Sequence, residues 1–122
     1  MIVLDEQLMD PQIRADFADW YKGTVVTILT LRPRTQIDDD AIPTLLRSVR
    51  QPTFVTINYT DFWKLIAADK AYCIVCLKIS GARSLDVSAL VADLLKRKEF
   101  ATKRRRMGKV ISWRDGKVTY YE

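Results

Sequence analysis

Apolar positions along the chain switch between unbroken or every-second-residue runs and spacings of three and four, and these switches divide it into alternating strands and helices. IVLD (2–5) reads as a short strand. Asp10-Pro11 then opens a helix, because Asp caps and Pro tolerates the first helical position. Ile13, Phe17, Trp20 and Tyr21 follow at helical spacing, and Gly23 offers a left-handed stop. TVVTILTL (24–31) reads as a second strand and RPRTQ as a loop. Ile42, Leu45, Leu46 and Val49 mark a helix that Asp38, Asp39 and Asp40 introduce and Pro52 prevents from continuing. TFVTIN (53–58) predicts a third strand, DFWKLIAAD (61–69) a short helix and YCIVCLKI (72–79) a fourth strand. Asp86 to about Thr102 predicts a longer helix with Val87, Leu90, Val91, Leu94 and Leu95 turned inward. The closing KVISWRDGKVTYYE places two alternating runs around Asp115-Gly116, which is a hairpin signal.

Strands separated by helices need crossover connections, so the pattern predicts an α/β fold with a largely parallel sheet covered on both faces. There is no internal repeat, low-complexity tract or linker. A chain of 122 residues reads as one domain, 1–122, able to bury a core without disulfides or metal staples. The start MIVLDEQ has no basic leader segment, and no apolar run approaches the length that spans a bilayer. The expected location is cytoplasmic, with no membrane partner.

The chain contains no histidine. That excludes Ser-His-Asp and Cys-His nucleophilic centres, a histidine base and any His-containing zinc site, and leaves carboxylates, hydroxyls, Lys and Arg. The two cysteines, Cys73 and Cys76, sit in the fourth strand, where positions three apart point to opposite faces. The C-x-x-C spelling therefore reads as two core thiols rather than a redox or metal pair.

Carboxylates cluster where an open parallel sheet binds ligands, beyond the carboxyl ends of its strands. The first strand ends at Asp5 and Glu6, the loop after the second delivers Asp38, Asp39 and Asp40, and the third ends at Asn58 with Asp61 three residues on. Acids in a first helical turn also favour the helix dipole, so the DDD run and Asp61 equally read as caps. Asp5 differs, because it follows a strand and precedes no predicted helix. Three segments bringing acids to one place form a like-charge cluster that a hard cation such as Mg²⁺ or Mn²⁺ would neutralise.

These segments resemble a toxin-type PIN-like family of small bacterial and archaeal proteins. MIVLDEQ resembles its M-x-x-L-L-D-E start, Asp39-Asp40-Ala41-Ile42 its D-E-x-I helix start, and TFVTINYTDFW its L-x-T-x-D-x-D-F strand end. YCIVCLKIS resembles its G-V-I-x-L strand, and GKVISWRDGKVTYYE its terminal hairpin. The resemblance implies a three-layer α/β/α PIN-like fold with a mostly parallel central sheet, and a Mg²⁺- or Mn²⁺-dependent ribonuclease. Asp5, Asp39 and Asp61 would be its catalytic, metal-binding acids, with Glu6 and Asn58 beside them. Implied partners are RNA, a small antitoxin protein and a second copy of the chain in a homodimer. Two departures lower the charge of the site: Asn58 replaces the first acid of D-x-D-F with one extra residue before Asp61, and AIPTLLRSVR contains no glutamate. They open the alternative of a degenerate, non-catalytic PIN-like interaction protein that binds a protein or nucleic acid.

Positive charge is concentrated in KRKEFATKRRRMGK (96–109), where eight basic residues face Glu99 alone, or +7. The remaining residues carry twelve basic and fourteen acidic side chains, or −2, which together give the formal +5. Lys96, Arg97, Lys98, Lys103, Arg104, Arg105, Arg106 and Lys109 are thus the candidate phosphate contacts that would guide RNA. A solvated helix end or a dock for an acidic partner is the competing reading. Phe17, Trp20, Phe62 and Trp63 are spaced like core residues, leaving Tyr120 and Tyr121 as candidates to stack on bases.

Overall fold

The computed structural model describes residues 1–31 and 41–122. Its strands are β1 (Ile2–Leu4), β2 (Val25–Thr27), β3 (Thr53–Thr56), β4 (Cys73–Leu77), β5 (Val110–Arg114) and β6 (Lys117–Tyr121). Helices α1 (Pro11–Ala18), α2 (Ile28–Leu31), α3 (Ile42–Arg47), α4 (Tyr59–Phe62), α5 (Val87–Leu95) and α6 (Lys103–Arg106) connect them, together with 3₁₀ turns at Glu6–Leu8 and Gly81–Asp86. The six strands form one sheet in the order β2-β1-β3-β4-β5-β6. All neighbours are parallel except the terminal β5–β6 hairpin. Among the described residues no helix is long and apolar enough to cross a membrane.

Alternation sends the strand side chains into two apolar layers. One contains Ile2, Leu4, Val55, Cys73, Val75 and Leu77 under α1 and α5, which contribute Ile13, Phe17, Val87, Val91 and Leu94. Trp20 locks this layer by donating from its indole nitrogen to Ser88 Oγ at 2.8 Å. The other contains Val3, Phe54, Ile74, Cys76 and Val110 under Ile28, Ile42, Leu46, Phe62 and Ile66. The chain is therefore a three-layer sandwich with a helical cover on each face, as the pattern predicts. Cys73 and Cys76 do fall in opposite layers.

The helix start at Asp10 and the hairpin form as expected. Asp10 Oδ1 accepts from the Gln12 amide at 2.9 Å with Pro11 following, and Asp115 and Gly116 take the positive φ that a tight hairpin turn requires. Several boundaries differ from the pattern, and strands three and four are also shorter than predicted, at Thr53–Thr56 and Cys73–Leu77, with α3 stopping at Arg47 before Pro52. The predicted strand 24–31 stops at Thr27, because β2 is an edge strand whose one partner, β1, ends at Leu4; residues 28–31 instead coil and bury Ile28. The predicted helix 61–69 begins at Tyr59 and lasts one turn before Trp63 becomes extended and Lys64 takes a φ of 65°. The helix from Asp86 stops at Leu95, which lets the chain turn Phe100 into the first layer before α6 starts at its Thr102 cap. Finally, α1 ends well before Gly23, which has no positive φ. A Cβ at that glycine would stand 2.7 Å from the Tyr21 ring and would push the ring aside.

Burial pushes the Cys73 and Cys76 thiols up to about 12. Neither should react with an aromatic disulfide reagent at pH 8 in the native protein, while both should react at once in denaturant; absorbance of the released thiolate checks this. Fast native labelling of either would contradict the buried, opposed arrangement.

Candidate functional site

The strand order reverses at β1. From β1 the chain crosses through α1 to β2 on one side, then returns past β1 to β3 on the other. In such a sheet the crevice beyond the carboxyl ends of β1 and β3 is the natural ligand site. The side chains arriving there are Asp5, Thr56, Asn58 and Asp61.

Asp5 continues the ladder one residue past β1, its amide donating to Val55 O at 3.0 Å. Asp5 is 6% exposed, and its carboxylate is held at both ends by neutral donors. Oδ1 accepts from the Glu6 amide at 2.7 Å, and Oδ2 accepts from Thr56 Oγ1 at 2.6 Å. Asp5 therefore does cap something, the 3₁₀ turn Glu6–Leu8 that the pattern did not predict. Thr56 Oγ1 in turn accepts from the Asn58 amide at 2.9 Å, and Asn58 Nδ2 donates to Asp61 Oδ2 at 2.9 Å. One hydrogen-bonded chain thus runs from the buried carboxylate of β1 to the exposed carboxylate of α4. The Asn58–Thr56 bond also ends β3, because it turns the backbone back on itself. Glu6 is exposed beside Asp5.

Burial raises the Asp5 pKa, the Thr56 and Glu6 donors oppose the shift, and the nearby Glu6 charge adds to it. Among the described residues no Lys or Arg forms an ion pair with Asp5 or Asp61. Asp38, Asp39 and Asp40 lie outside the described residues. The N-cap position of α3 is Ala41, which has no side chain to cap with. Among the described residues no three His, Cys, Asp or Glu side chains are grouped to hold an ion.

The basic segment lies elsewhere. Arg106 Nε donates to Thr53 Oγ1 at the start of β3, Gly108 N donates to Tyr72 O just before β4, and Lys109 O accepts from Ile74 N. These contacts put α6 at the amino edge of the parallel strands. From Thr53 to Asn58 the chain advances five residues, roughly 16 Å at strand rise, so the cations and Asp5 occupy opposite edges. Arg106 is 4% exposed, and its Nη1 also donates to Phe100 O at 3.1 Å, so its charge is committed inside the fold. Arg105 donates to Lys98 O, and Lys109 Nζ donates to Glu99 O and Arg105 O. Lys96 stands 3.9 Å from Asp93. Arg97, Lys98, Lys103 and Arg104 are exposed. Tyr120 is exposed at this same edge, with Lys109 Nζ 5.3 Å from its ring centroid, while Tyr121 packs on Trp63.

Thr56 was not singled out in the sequence, although its two-residue spacing from Asn58 on a predicted strand places both on one face. Lys78 was also missed; it follows β4 at the same edge, 5.9 Å over the Tyr59 ring. Comparison of the chain with models of known protein families, with curated proteins and with solved structures finds no significant match.

The native Asp5 carboxyl holds its proton more tightly than an ordinary aspartate at 3.8. Its ionisation therefore costs stability: the advantage of the protonated form is complete below the ordinary value and is lost as pH rises through the native one. Asp5→Asn cannot ionise, so its stability relative to the parent should climb across that interval and then level off. Urea denaturation in chelator at a series of pH values checks this. A difference that stays constant, or falls as pH rises, would contradict the buried carboxylate.

Proposed function

We propose that the chain is a PIN-like, metal-dependent nuclease that hydrolyses RNA phosphodiesters. Asp5 and Asp61 would hold Mg²⁺ or Mn²⁺, helped by the Asn58 carbonyl oxygen and completed by Asp39. The observation that carries this reading is the hydrogen-bonded chain Asp5–Thr56–Asn58–Asp61 at the strand-order reversal. It organises two carboxylates without bringing either a neutralising cation among the described residues. The donor set fits a hard ion: it is all oxygen, and the Asn58–Asp61 bond uses the amide nitrogen and leaves Asn58 Oδ1 free of it. A divalent ion there would supply the Lewis acidity and the neutral-pH nucleophile that phosphodiester hydrolysis needs.

The protein's own part is orientation. Thr56 and the Glu6 amide hold the two oxygens of the Asp5 carboxylate, and Asn58 ties Asp61 to the same scaffold. Preorganised ligands of this kind spare the reorganisation that binding a cation to mobile side chains would require. A second reading, a non-catalytic PIN-like domain that docks an acidic partner such as a small antitoxin, is favoured by one observation: the exposed cations of 96–109 stand at the edge away from Asp5.

Calorimetry with Mn²⁺ separates the readings. The nuclease reading expects one site that Asp5→Asn abolishes, with the parent stabilised by about 2.7 kcal/mol at a hundredfold excess over Kd. It also expects cleavage of single-stranded RNA that chelator and Asp5→Asn both stop. Absence of Mn²⁺ binding would decide for the non-catalytic reading.

A further inference from the structure

We infer that the carboxyl edge carries a groove for single-stranded nucleic acid that starts beside the Asp5 site and crosses β4 to the terminal hairpin. Lys64, Lys78, Arg114 and Lys117 contact phosphates there, and Tyr59 and Trp63 offer ring faces to bases. The inference rests on the nuclease reading only for what the groove serves; its own basis is the register of the sheet.

Three successive cross-strand rows on one face grow more polar toward the carboxyl edge. Val3, Phe54, Ile74, Val110 and Tyr121 are register partners across β1, β3, β4, β5 and β6, and form an apolar row. Two residues on, Thr56, Cys76, Ser112 and Thr119 form a row of small side chains, with Asp5 bonded to Thr56 at its end. Two residues further come Asn58, Lys78, Arg114 and Lys117. Lys78 continues the ladder by donating its amide to Trp113 O at 2.9 Å, and Arg114 is the partner of Lys117. Lys78, Arg114 and Lys117 are exposed.

α4 lies across the middle row and supplies the aromatic wall. Tyr59 bonds to Ser112 through its hydroxyl at 2.8 Å, and its ring centroid is 6.0 Å from that of Trp63. Two open clefts share Tyr59 as a wall. One, of about 420 Å³, reaches from Gln7 and Asn58 to Lys78; the other, of about 330 Å³, is bounded by Trp63, Lys64, Arg114 and Lys117. The line from one to the other leads from Asn58, which is bonded to Thr56 and Asp61, to a cluster of three cations. Asp115 stands 4.0 Å from Arg114 Nε, with both side chains exposed.

The charge and the rings point to one occupant. Phosphates spaced along a strand suit cations spaced along an edge, and half-buried aromatic faces suit unpaired bases, which a duplex keeps stacked inside itself. The chain between Trp63 and Lys64 turns sharply, Lys64 having a φ of 65°, and the exposed Lys64 lines the second cleft.

The test is binding of a fluorescent single-stranded oligouridylate in chelator, followed by anisotropy over a range of salt. Combined Lys64→Ala, Lys78→Ala, Arg114→Ala and Lys117→Ala should flatten the slope of log affinity on log salt by about 0.7 for each phosphate contact removed. Lys103→Ala with Arg104→Ala, at the other edge, should leave the slope unchanged. Tyr59→Leu should weaken binding roughly five- to a hundredfold with little change in slope. A slope that responds to the amino-edge pair and not to the groove quadruple overturns the inference, as does tighter binding of the duplex of the same sequence or no binding of either. Mn²⁺ calorimetry on the same proteins freed of chelator keeps the two readings apart. Groove binding without a Mn²⁺ site sinks the nuclease and leaves the groove, whereas a Mn²⁺ site with groove-independent binding does the reverse.

Discussion

Side chains leave a strand alternately to its two faces, and this two-residue step sets most of what the molecule presents at its carboxyl edge. On β1 it sends Val3 into the layer under α3 and α4, so that Asp5 must emerge on the same face. On β3 it does the same for Phe54, Thr56 and Asn58, and on β4 for Ile74, Cys76 and Lys78. The same register therefore buries an apolar row, joins Asp5 to Thr56, and sets Lys78 and Arg114 beyond them. A slip of one residue in any central strand would place its polar end in the other layer, against Phe17 and Val91.

Asp5 is the most demanding group in this arrangement. Its two oxygens are satisfied, so no hydrogen bond is missing, yet neutral donors do not cancel a buried charge. An asparagine here would keep one acceptor oxygen and remove the buried charge. In the proposed nuclease that charge would serve a cation, with Asp61 as the second ligand. Arg106 offers the contrast. It is just as buried, but it is tied to Thr53 and Phe100 in the wall of the amino edge, where it fixes α6 to the sheet.

Much of this is legible in the sequence because it depends on local rules. The Asp10-Pro11 start, the hairpin turn at Asp115-Gly116 and the opposite faces of Cys73 and Cys76 each need only a few neighbouring residues. The length of β2 is not legible, since it is set by the end of its partner β1, a distant segment. Nor is the stop of α5 at Leu95, which depends on room for Phe100 against the first layer. The position of the basic run illustrates a different difficulty. A segment that leaves a parallel strand reaches the carboxyl edge, and one that enters a strand lies at the amino edge. That rule locates Asp5 from the sequence, and applied to residues 103–109 it separates them from Asp5. A count of charges alone carries no such direction. Lys64, Lys78, Arg114 and Lys117 escape it because they are scattered along the chain, and only the register of the sheet gathers them.

In the proposed nuclease, the strand-order reversal at β1 organises Asp5 and Asp61 for a hard cation. Anomalous diffraction from crystals soaked in Mn²⁺ tests it most directly. The expected result is one strong peak about 2.0 to 2.2 Å from an Asp5 oxygen, shared with Asp61 or Asn58. Peaks only elsewhere on the surface, with Asp5 still bonded solely to Thr56 and the Glu6 amide, would contradict it.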